Sequence, residues 1–311
     1  MVKLRRNYSD GKRGSSTGYA GRMGIFLVVV VVAIVLIGYG LKDRDGSTPK
    51  GYVPAPKSSN GGGNVAVIDA SNRNYLPTDT QNEVVHHKYY SLGYNEDAEQ
   101  AVWVAYPLTA ESIYVPNVKR AKRFNSDDLV STRSAAHSDY TNSGYTRGHM
   151  APAGDMAFNR EAMNESFFMS NMSPQISSFN AGIWKELEEN VRDWAIKHKE
   201  LYIVTGPILK GNEKRIGRNT KVAVPKAFYK AILDVTSKNH TGIAFVVPHR
   251  TCDEPLSDFA MSIDDLEDKL GLDLYPELTK DNPRVESSYD LSQWKFDQKK
   301  FSDRVKSWNN Q

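Results

Sequence analysis

Cysteine is nearly absent from this sequence, which contains one, Cys252, in 311 residues. A single thiol excludes an internal disulfide framework and a cysteine-rich zinc site. A strong net charge is also lacking, since 40 Lys and Arg residues stand against 37 Asp and Glu. Bulk charge therefore gives no argument that the main domain binds polyanions, and any such site must be a local patch.

The small positive charge is concentrated at the N-terminus. Residues 1–41 contain six Lys and Arg but one acidic residue, whereas the remainder contains 34 basic and 36 acidic residues. Residues 24–41, "GIFLVVVVVAIVLIGYGL", carry no charge in 18 positions. A helix of that length spans roughly 27 Å, close to the bilayer core of about 30 Å. This run predicts a single transmembrane anchor.

A signal-peptide core and a buried core helix are the alternatives for residues 24–41. The run is long for a signal-peptide core, and "LKDRDG" follows it where a cleavage site of small residues would be expected. Because the basic residues precede the span, the N-terminus is predicted to be cytoplasmic. The rest of the chain would then lie on the periplasmic or extracellular side.

Four regions are predicted along the chain. Residues 1–23 form a basic cytoplasmic tail, 24–41 the anchor, 42–85 a flexible linker rich in Gly, Pro and Ser, and 86–311 the folded domain. His86 and His87, at the start of that domain, are interpreted as surface residues.

The folded domain contains both strands and helices. Four segments have the apolar and aromatic density of strands, namely 101–108, 200–209, 226–235 and 241–249. Residues 181–199 are predicted to form a helix with one apolar stripe of Trp184, Leu187, Val191 and Trp194. Residues 262–272 predict a second helix with Ser262 as its N-cap. Because no regular βαβ alternation is seen, the class is predicted to be α+β.

Residues 146–156, "TRGHMAPAGDM", present a histidine among small residues. His149 is the best candidate for a general base because imidazole titrates near neutral pH. Gly148 would permit a positive φ or a close approach to a ligand, and Arg147 offers a charge for phosphate or carboxylate. A structural histidine and a surface salt bridge of the arginine are the alternatives.

A second candidate segment spans residues 166–194. Asn180 precedes the predicted helix, and Glu188 lies eight residues on, about two turns along and on a neighbouring face. Asn180 could be a helix N-cap, and Glu188 a solvated charge paired with Arg192. Alternatively, the amide oxygen and the carboxylate share one cation, and few oxygen ligands of this kind suit Mg²⁺.

These two segments resemble the DNA/RNA non-specific endonuclease family. Its members are the ββα-metal (His-Me finger) nucleases, which include mitochondrial endonuclease G and secreted bacterial nucleases. The first motif, Asp-Arg-Gly-His, is matched at Arg147, Gly148, His149, Met150 and Gly154. The second is matched at Ser170, Asn171, Pro174, Gln175, Asn180, Trp184 and Glu188. The separation between His149 and Asn180 also fits the family.

The resemblance implies a fold of mixed or antiparallel strands with flanking helices, and an Mg²⁺-dependent nuclease that hydrolyses phosphodiester bonds of DNA or RNA. By this resemblance His149 is the general base and Asn180 the direct ligand of one Mg²⁺ ion, which Mn²⁺ can replace. Glu188 resembles the carboxylate that supports the water shell of the metal. Contacts through the phosphate backbone imply no sequence preference, and relatives of this kind often form homodimers.

Three further residues are implied in catalysis by the same resemblance. Asn171 matches an active-site asparagine that supports the geometry, and Arg147 and Arg192 match arginines near the phosphate. One more arginine is expected from residues 119–128, and the sequence leaves open whether it is Arg120 or Arg123.

Thr146 departs from the family pattern, which has Asp at this position. Threonine keeps a hydroxyl but loses the charge. A catalytically impaired, membrane-tethered nucleic-acid-binding module is therefore the alternative function. A phosphodiesterase acting on a lipid or a cyclic nucleotide is a further one.

Overall fold

A seven-stranded antiparallel sheet forms the centre of the computed structural model, which describes residues 73–218, 220–238 and 240–309. Its strand order is β1-β2-β3-β6-β9-β10-β11. The bounds of these strands are β1 Glu83–His86, β2 Ser91–Asn95, β3 Gln100–Thr109, β6 Glu200–Ile208, β9 Ala227–Asp234, β10 Thr241–Pro248 and β11 Ala260–Met261. The four predicted strand segments correspond to β3, β6, β9 and β10, and the α+β class is confirmed.

Both faces of the sheet are covered, which explains why its central strands are almost continuously apolar. Along β3, Val104 and Tyr106 belong to one buried hydrophobic cluster, whereas Trp103 and Ala105 belong to a second one. The alternation follows from the two-residue period of a strand. The domain therefore has three layers, with the sheet in the middle.

Seven α-helices occur among the described residues, and several are a single turn. Their bounds are α1 Ala110–Tyr114, α2 Arg160–Glu165, α3 Ser177–Phe179, α4 Lys185–His198, α5 Ile263–Leu270, α6 Pro276–Thr279 and α7 Gln298–Asn309. Short 3₁₀ turns lie at His137–Tyr140, Met169–Asn171, Leu256–Phe259 and Pro283–Val285.

The two predicted helices are present. The apolar stripe of α4 is confirmed, since Leu187, Val191 and Trp194 are buried in the first hydrophobic cluster together with Trp184. Helix α5 is capped as predicted, because the Ser262 hydroxyl accepts a hydrogen bond from the backbone N–H of Asp265 at 3.1 Å.

Two short hairpins lie outside the main sheet. One pairs β4 (Thr146–His149) with β5 (Met172–Gln175), and the other pairs β7 (Arg215–Ile216) with β8 (Val222–Ala223). The chain runs from β5 through α3 into α4, so that β4, β5 and this helical segment form a ββα unit. Both sequence motifs lie on this unit.

The packed chain begins earlier than predicted. Tyr75 is buried, and the indole Nε1 of Trp103 donates a hydrogen bond to Asp79 at 2.7 Å. The predicted linker end at residue 85 therefore lies inside the domain. The surface interpretation of His87 is also wrong, because this residue is buried and its Nε2 lies 2.8 Å from Oδ2 of Asp127.

The predicted tail and anchor, residues 1–41, fall outside the described residues. Within the described part of the chain, no helix has the length and apolar character needed to cross a membrane.

Candidate active site

The β4–β5 hairpin explains the glycine of the first motif. In its register Thr146 lies opposite Gln175, and Gly148 lies opposite Ser173. A Cβ atom added at Gly148 would come within 2.1 Å of the buried Gln175 side chain. Gly148 does not have a positive φ. Its small size is required by packing against Gln175 and not by a left-handed backbone.

His149 ends β4 and lies between two aromatic side chains. Its ring centroid is 5.9 Å from that of Phe124 and 4.9 Å from that of Phe167. Burial lowers the pKa of His149 to about 3, and the positive charge of Arg120 acts in the same direction. The imidazole is therefore neutral at pH 7. Nε2 is enclosed without a hydrogen-bond partner, which leaves Nδ1 as the ring nitrogen that can meet a water molecule.

Arg147 is held by its backbone and aromatic neighbours. Its Nη2 atom donates a hydrogen bond to the backbone oxygen of His137 at 2.7 Å, and its guanidinium stacks on Phe124 and Tyr140. Arg147 forms no ion pair with a described residue, so the salt-bridge alternative is wrong. Since no carboxylate neutralises it, the guanidinium remains available to an anion.

Thr146 contacts Asn180 directly. The Thr146 hydroxyl donates a hydrogen bond to the backbone oxygen of Gln175 at 2.9 Å and accepts one from Nδ2 of Asn180, also at 2.9 Å. The amide oxygen of Asn180 accepts no hydrogen bond from the described residues. The hydroxyl that replaces the usual acid thus fixes the amide group of Asn180 and leaves its oxygen free.

Asn180 is not a helix N-cap. Its backbone is helical (φ −61°, ψ −46°), and its side chain donates a hydrogen bond, whereas an N-cap side chain accepts one. A distorted π-helical turn, Asn180–Trp184, joins α3 to α4, with Gly182 outside helical geometry. Residues eight apart in a regular α-helix point about 80° away from each other. The wider turn reduces this offset, and Asn180 and Glu188 line one recess.

This recess has a volume of about 360 Å³ and gathers most of the predicted site residues. Its lining is formed by Arg120, Phe124, Arg147, His149, Pro152, Ala153, Gly154, Asn180, Ala181, Lys185, Glu188 and Arg192. The four cationic side chains outnumber the single carboxylate, so the recess is suited to an anion. Arg120, rather than Arg123, belongs to it.

Asn171 does not line the recess. It is fully buried. Its side chain accepts a hydrogen bond from the backbone N–H of Ala151 at 2.8 Å and donates hydrogen bonds to the backbone oxygens of Ala151 and Ser166. These bonds fix the backbone two residues beyond His149. Asn171 is therefore a support for the loop that follows the histidine.

Arg192 pairs with Asp155 and not with Glu188. Its Nη1 atom lies 2.7 Å from Asp155, which also accepts a hydrogen bond from the hydroxyl of Tyr106 at 2.9 Å. The small residue Gly154 makes room for this guanidinium, since an added Cβ would lie 2.9 Å from Nη1. The alternative of a solvated Glu188–Arg192 pair is wrong.

Lys230 is a charged residue of this region that the sequence motifs do not include. It lies on β9, is completely buried, and its Nζ has no hydrogen-bond partner and lies 5.1 Å from the ring centroid of Trp184. Burial lowers the pKa of Lys230 and raises that of Glu188, and each charge opposes the shift of the other. A charged lysine within the apolar run "AFYKAILDV" is the feature of the sequence that could have marked this residue as unusual.

The sequence of this domain matches a known protein family. The family model for DNA/RNA non-specific endonucleases matches residues 69–281. The chain belongs to the DNA/RNA non-specific endonuclease family. It is an enzyme of the nuclease class, and the ββα unit with its recess is the part of this endonuclease that holds both motifs.

Similar proteins are nucleases. Nuclease C1 of Cunninghamella echinulata var. echinulata is 34% identical over 214 residues, which cover 64% of this chain and 85% of that protein. The mitochondrial nuclease EXOG of Danio rerio is 35% identical, but the match covers only 60% of that protein. Among solved structures, the EndoG/EndoGI complex matches with a TM-score of 0.59 and 32% identity, over 64% of this chain and 87% of the matched chain.

The recess of this endonuclease fits a divalent cation with few protein ligands. Asn180 offers a free amide oxygen, and Glu188 offers a carboxylate on the same lining. Among the described residues, no group of three His, Cys, Asp or Glu ligands converges on this recess. Such a donor set suits Mg²⁺, which keeps several waters and is commonly bound through one or two protein oxygens together with substrate phosphates.

Proposed function

We propose that this protein is an Mg²⁺-dependent nuclease that hydrolyses phosphodiester bonds of DNA and RNA without sequence preference. The observation that carries the proposal is the presence of His149, Asn180 and Glu188 in one recess whose other charged groups are cations. Family membership supports the same reaction. The arginines and the lysine of the lining can bind phosphates, and binding through phosphates is independent of sequence.

Each side chain has a definite task in this proposal. His149 accepts, at Nδ1, the proton of the water that attacks phosphorus, because its imidazole is neutral in the free enzyme. Arg120, Arg147 and Arg192 bind the phosphate oxygens and stabilise the charge that develops there. Asn180 and Glu188 would hold the cation, which when bound supplies Lewis-acid polarisation of the phosphate.

Thr146 acts in this proposal as a positioning residue. By accepting the hydrogen bond of the Asn180 amide N–H, its hydroxyl keeps the amide oxygen turned toward the metal position. A carboxylate at this position could accept the same bond but could not donate to the Gln175 carbonyl. The threonine therefore accepts the Asn180 hydrogen bond that an acid at this position could also accept. This argues against the alternative of a catalytically impaired module.

The proposed activity is tested with the full chain in detergent. We expect supercoiled plasmid and single-stranded RNA to be cleaved with Mg²⁺ and to remain intact with EDTA. Cleavage should weaken as salt rises, since phosphate contacts release counterions. Binding of DNA without metal-dependent cleavage would instead support the impaired module. If plasmid and RNA stay intact but a lipid or cyclic-nucleotide phosphodiester is hydrolysed, and excess DNA and RNA do not inhibit that hydrolysis, the phosphodiesterase alternative is supported.

We further propose that residues 24–41 anchor the enzyme in a membrane, with residues 1–23 in the cytoplasm and the nuclease domain on the extracytoplasmic side. The support is the uncharged 18-residue run and the basic residues before it. The domain should be digested by protease added outside intact cells or spheroplasts, whereas a cytoplasmic marker protein should survive. Survival of the nuclease domain in intact spheroplasts would contradict this orientation.

A further inference from the structure

A group of three carboxylates lies beside helix α5, outside the active-site recess. Asp264 and Glu267 belong to this helix, and Glu286 follows the 3₁₀ turn Pro283–Val285. One oxygen of each residue lies within 4.8 Å of the others. The two segments are joined by a hydrogen bond from the backbone N–H of Asp264 to the backbone oxygen of Glu286 at 3.1 Å. The three side chains thus converge from two separate parts of the chain.

No positively charged side chain pairs with this group among the described residues, although Oε1 of Glu267 accepts a hydrogen bond from the backbone N–H of Leu274 at 2.7 Å. Among the described residues, none of the three carboxylates forms an ion pair with Lys, Arg or His. The helix dipole favours Asp264, which lies in the first turn of α5. It does not account for Glu286, which lies off the helix. Like charges at this spacing repel each other unless a cation or protons intervene.

Glu286 points independently to a ligand. This residue is 6% exposed, and its Oε1 atom is enclosed and accepts no hydrogen bond from a described residue. Buried polar atoms in folded proteins nearly always have a partner. The unsatisfied atom belongs to a carboxylate of this cluster, and a cation bound there would supply the missing partner.

We propose that Asp264, Glu267 and Glu286 bind one Ca²⁺ ion. Calcium–oxygen distances of about 2.3–2.6 Å place opposite ligands about 4.6–5.2 Å apart. The three oxygens lie within 4.8 Å of one another, close enough to share one ion, and three protein carboxylates suit Ca²⁺, which takes six to eight oxygen ligands, better than Mg²⁺, which is usually bound through one or two carboxylates. Asp264 is exposed and Glu286 is buried, so the ion enters from solvent at Asp264 and completes its coordination with water.

The ion would hold α5 to the segment that follows α6. Ile263 and Leu266 of α5 belong to the second hydrophobic cluster, whereas α4 and its stripe belong to the first. The calcium site therefore lies on the opposite layer from the active-site recess. Its role is to stabilise the fold, and it does not depend on the proposed nuclease mechanism.

The test measures calcium binding in the full chain with Asn180→Ala, so that the active-site recess does not contribute. Isothermal titration with CaCl₂ should give one site per chain, and millimolar Ca²⁺ should raise Tm by a few degrees, as expected for a ligand bound only to the folded state. Adding Glu286→Gln should abolish both effects. Its metal-free Tm should equal or exceed that of the parent, because one repelling charge is removed.

Glu277→Gln on the same background is the matched control. Glu277 is also a glutamate near this region, but it is exposed and pairs with Lys280 at 3.1 Å. This variant should bind Ca²⁺ as the parent does. If Glu286→Gln fails to fold, Glu267→Gln must show the same loss of binding. The site is disproved if the Asn180→Ala chain binds no Ca²⁺ at millimolar concentration, or if the glutamine variants bind it unchanged.

Discussion

His149→Ala is expected to lower the rate of plasmid cleavage by about 10²–10⁴-fold, the range for loss of a general base. The reason is that His149, whose imidazole is neutral, is the only histidine among the described residues that line the recess. The Mg²⁺ concentration for half-maximal rate should hardly change, because the metal position is assigned to Asn180 and Glu188. Single-turnover cleavage over a range of Mg²⁺ measures both quantities.

Two controls separate this chemical role from a loss of folding. His149→Ala leaves a cavity between Phe124 and Phe167, so His149→Gln, which fills more of the space, should be as inactive but more stable. His240→Ala, at an exposed position outside the recess, should keep full activity. Near-wild-type activity of His149→Ala would show that another group accepts the proton.

Asn180→Ala is expected to lower the rate by at least about 100-fold and to raise the Mg²⁺ requirement, because it removes a direct metal ligand. Thr146→Val has nearly the same shape as threonine but loses the hydroxyl that holds Asn180 at 2.9 Å. Loss of such an outer partner typically costs about 10–100-fold in metal affinity or activity. Thr146→Val should therefore also lower the rate and raise the Mg²⁺ requirement, but by less than Asn180→Ala does. Cleavage rates measured over a range of Mg²⁺ concentrations give both quantities.

Conservative variants test whether Thr146 acts through Asn180. Thr146→Ser retains a hydroxyl and should retain activity, and Thr146→Asp should also be active because it can accept the Asn180 hydrogen bond. In the Asn180→Ala background, Thr146→Val should have little additional effect. Additive effects of the two substitutions, or a Thr146→Val enzyme with an unchanged Mg²⁺ requirement, would show that the hydroxyl does not position the ligand.

The sequence predicted those parts of the site that depend on local order along the chain. The strand segments, the stripe of α4 and the Ser262 cap all follow from periodicity and side-chain chemistry over a few residues. The pairing of His149 with Asn180 was predicted from two motifs at a fixed separation. These features agree with the fold because both motifs lie within one contiguous ββα unit.

The parts that could not be predicted depend on contacts between distant segments. Lys230 of β9 lies close enough to Glu188 for each charge to affect the pKa of the other, and Asp155, in the loop after β4, is the partner of Arg192. No spacing rule connects these positions. The choice of Arg120 over Arg123 likewise depends on which side chain the surface loop turns toward the recess.

The π-helical turn at Asn180–Trp184 restricts how this segment can change in length. The stripe of α4 is fixed against the sheet by Trp184, Leu187 and their buried neighbours. A regular helix over the same eight residues would separate Asn180 and Glu188 by about 80°, whereas a regular helix one residue shorter would separate them by only about 20°. Deleting one residue within the turn would therefore keep the amide on the side of the helix that carries Glu188. Inserting a further helical residue there would turn Asn180 by about 100° relative to that fixed stripe and away from Thr146, so this turn should tolerate a single-residue deletion more readily than an insertion.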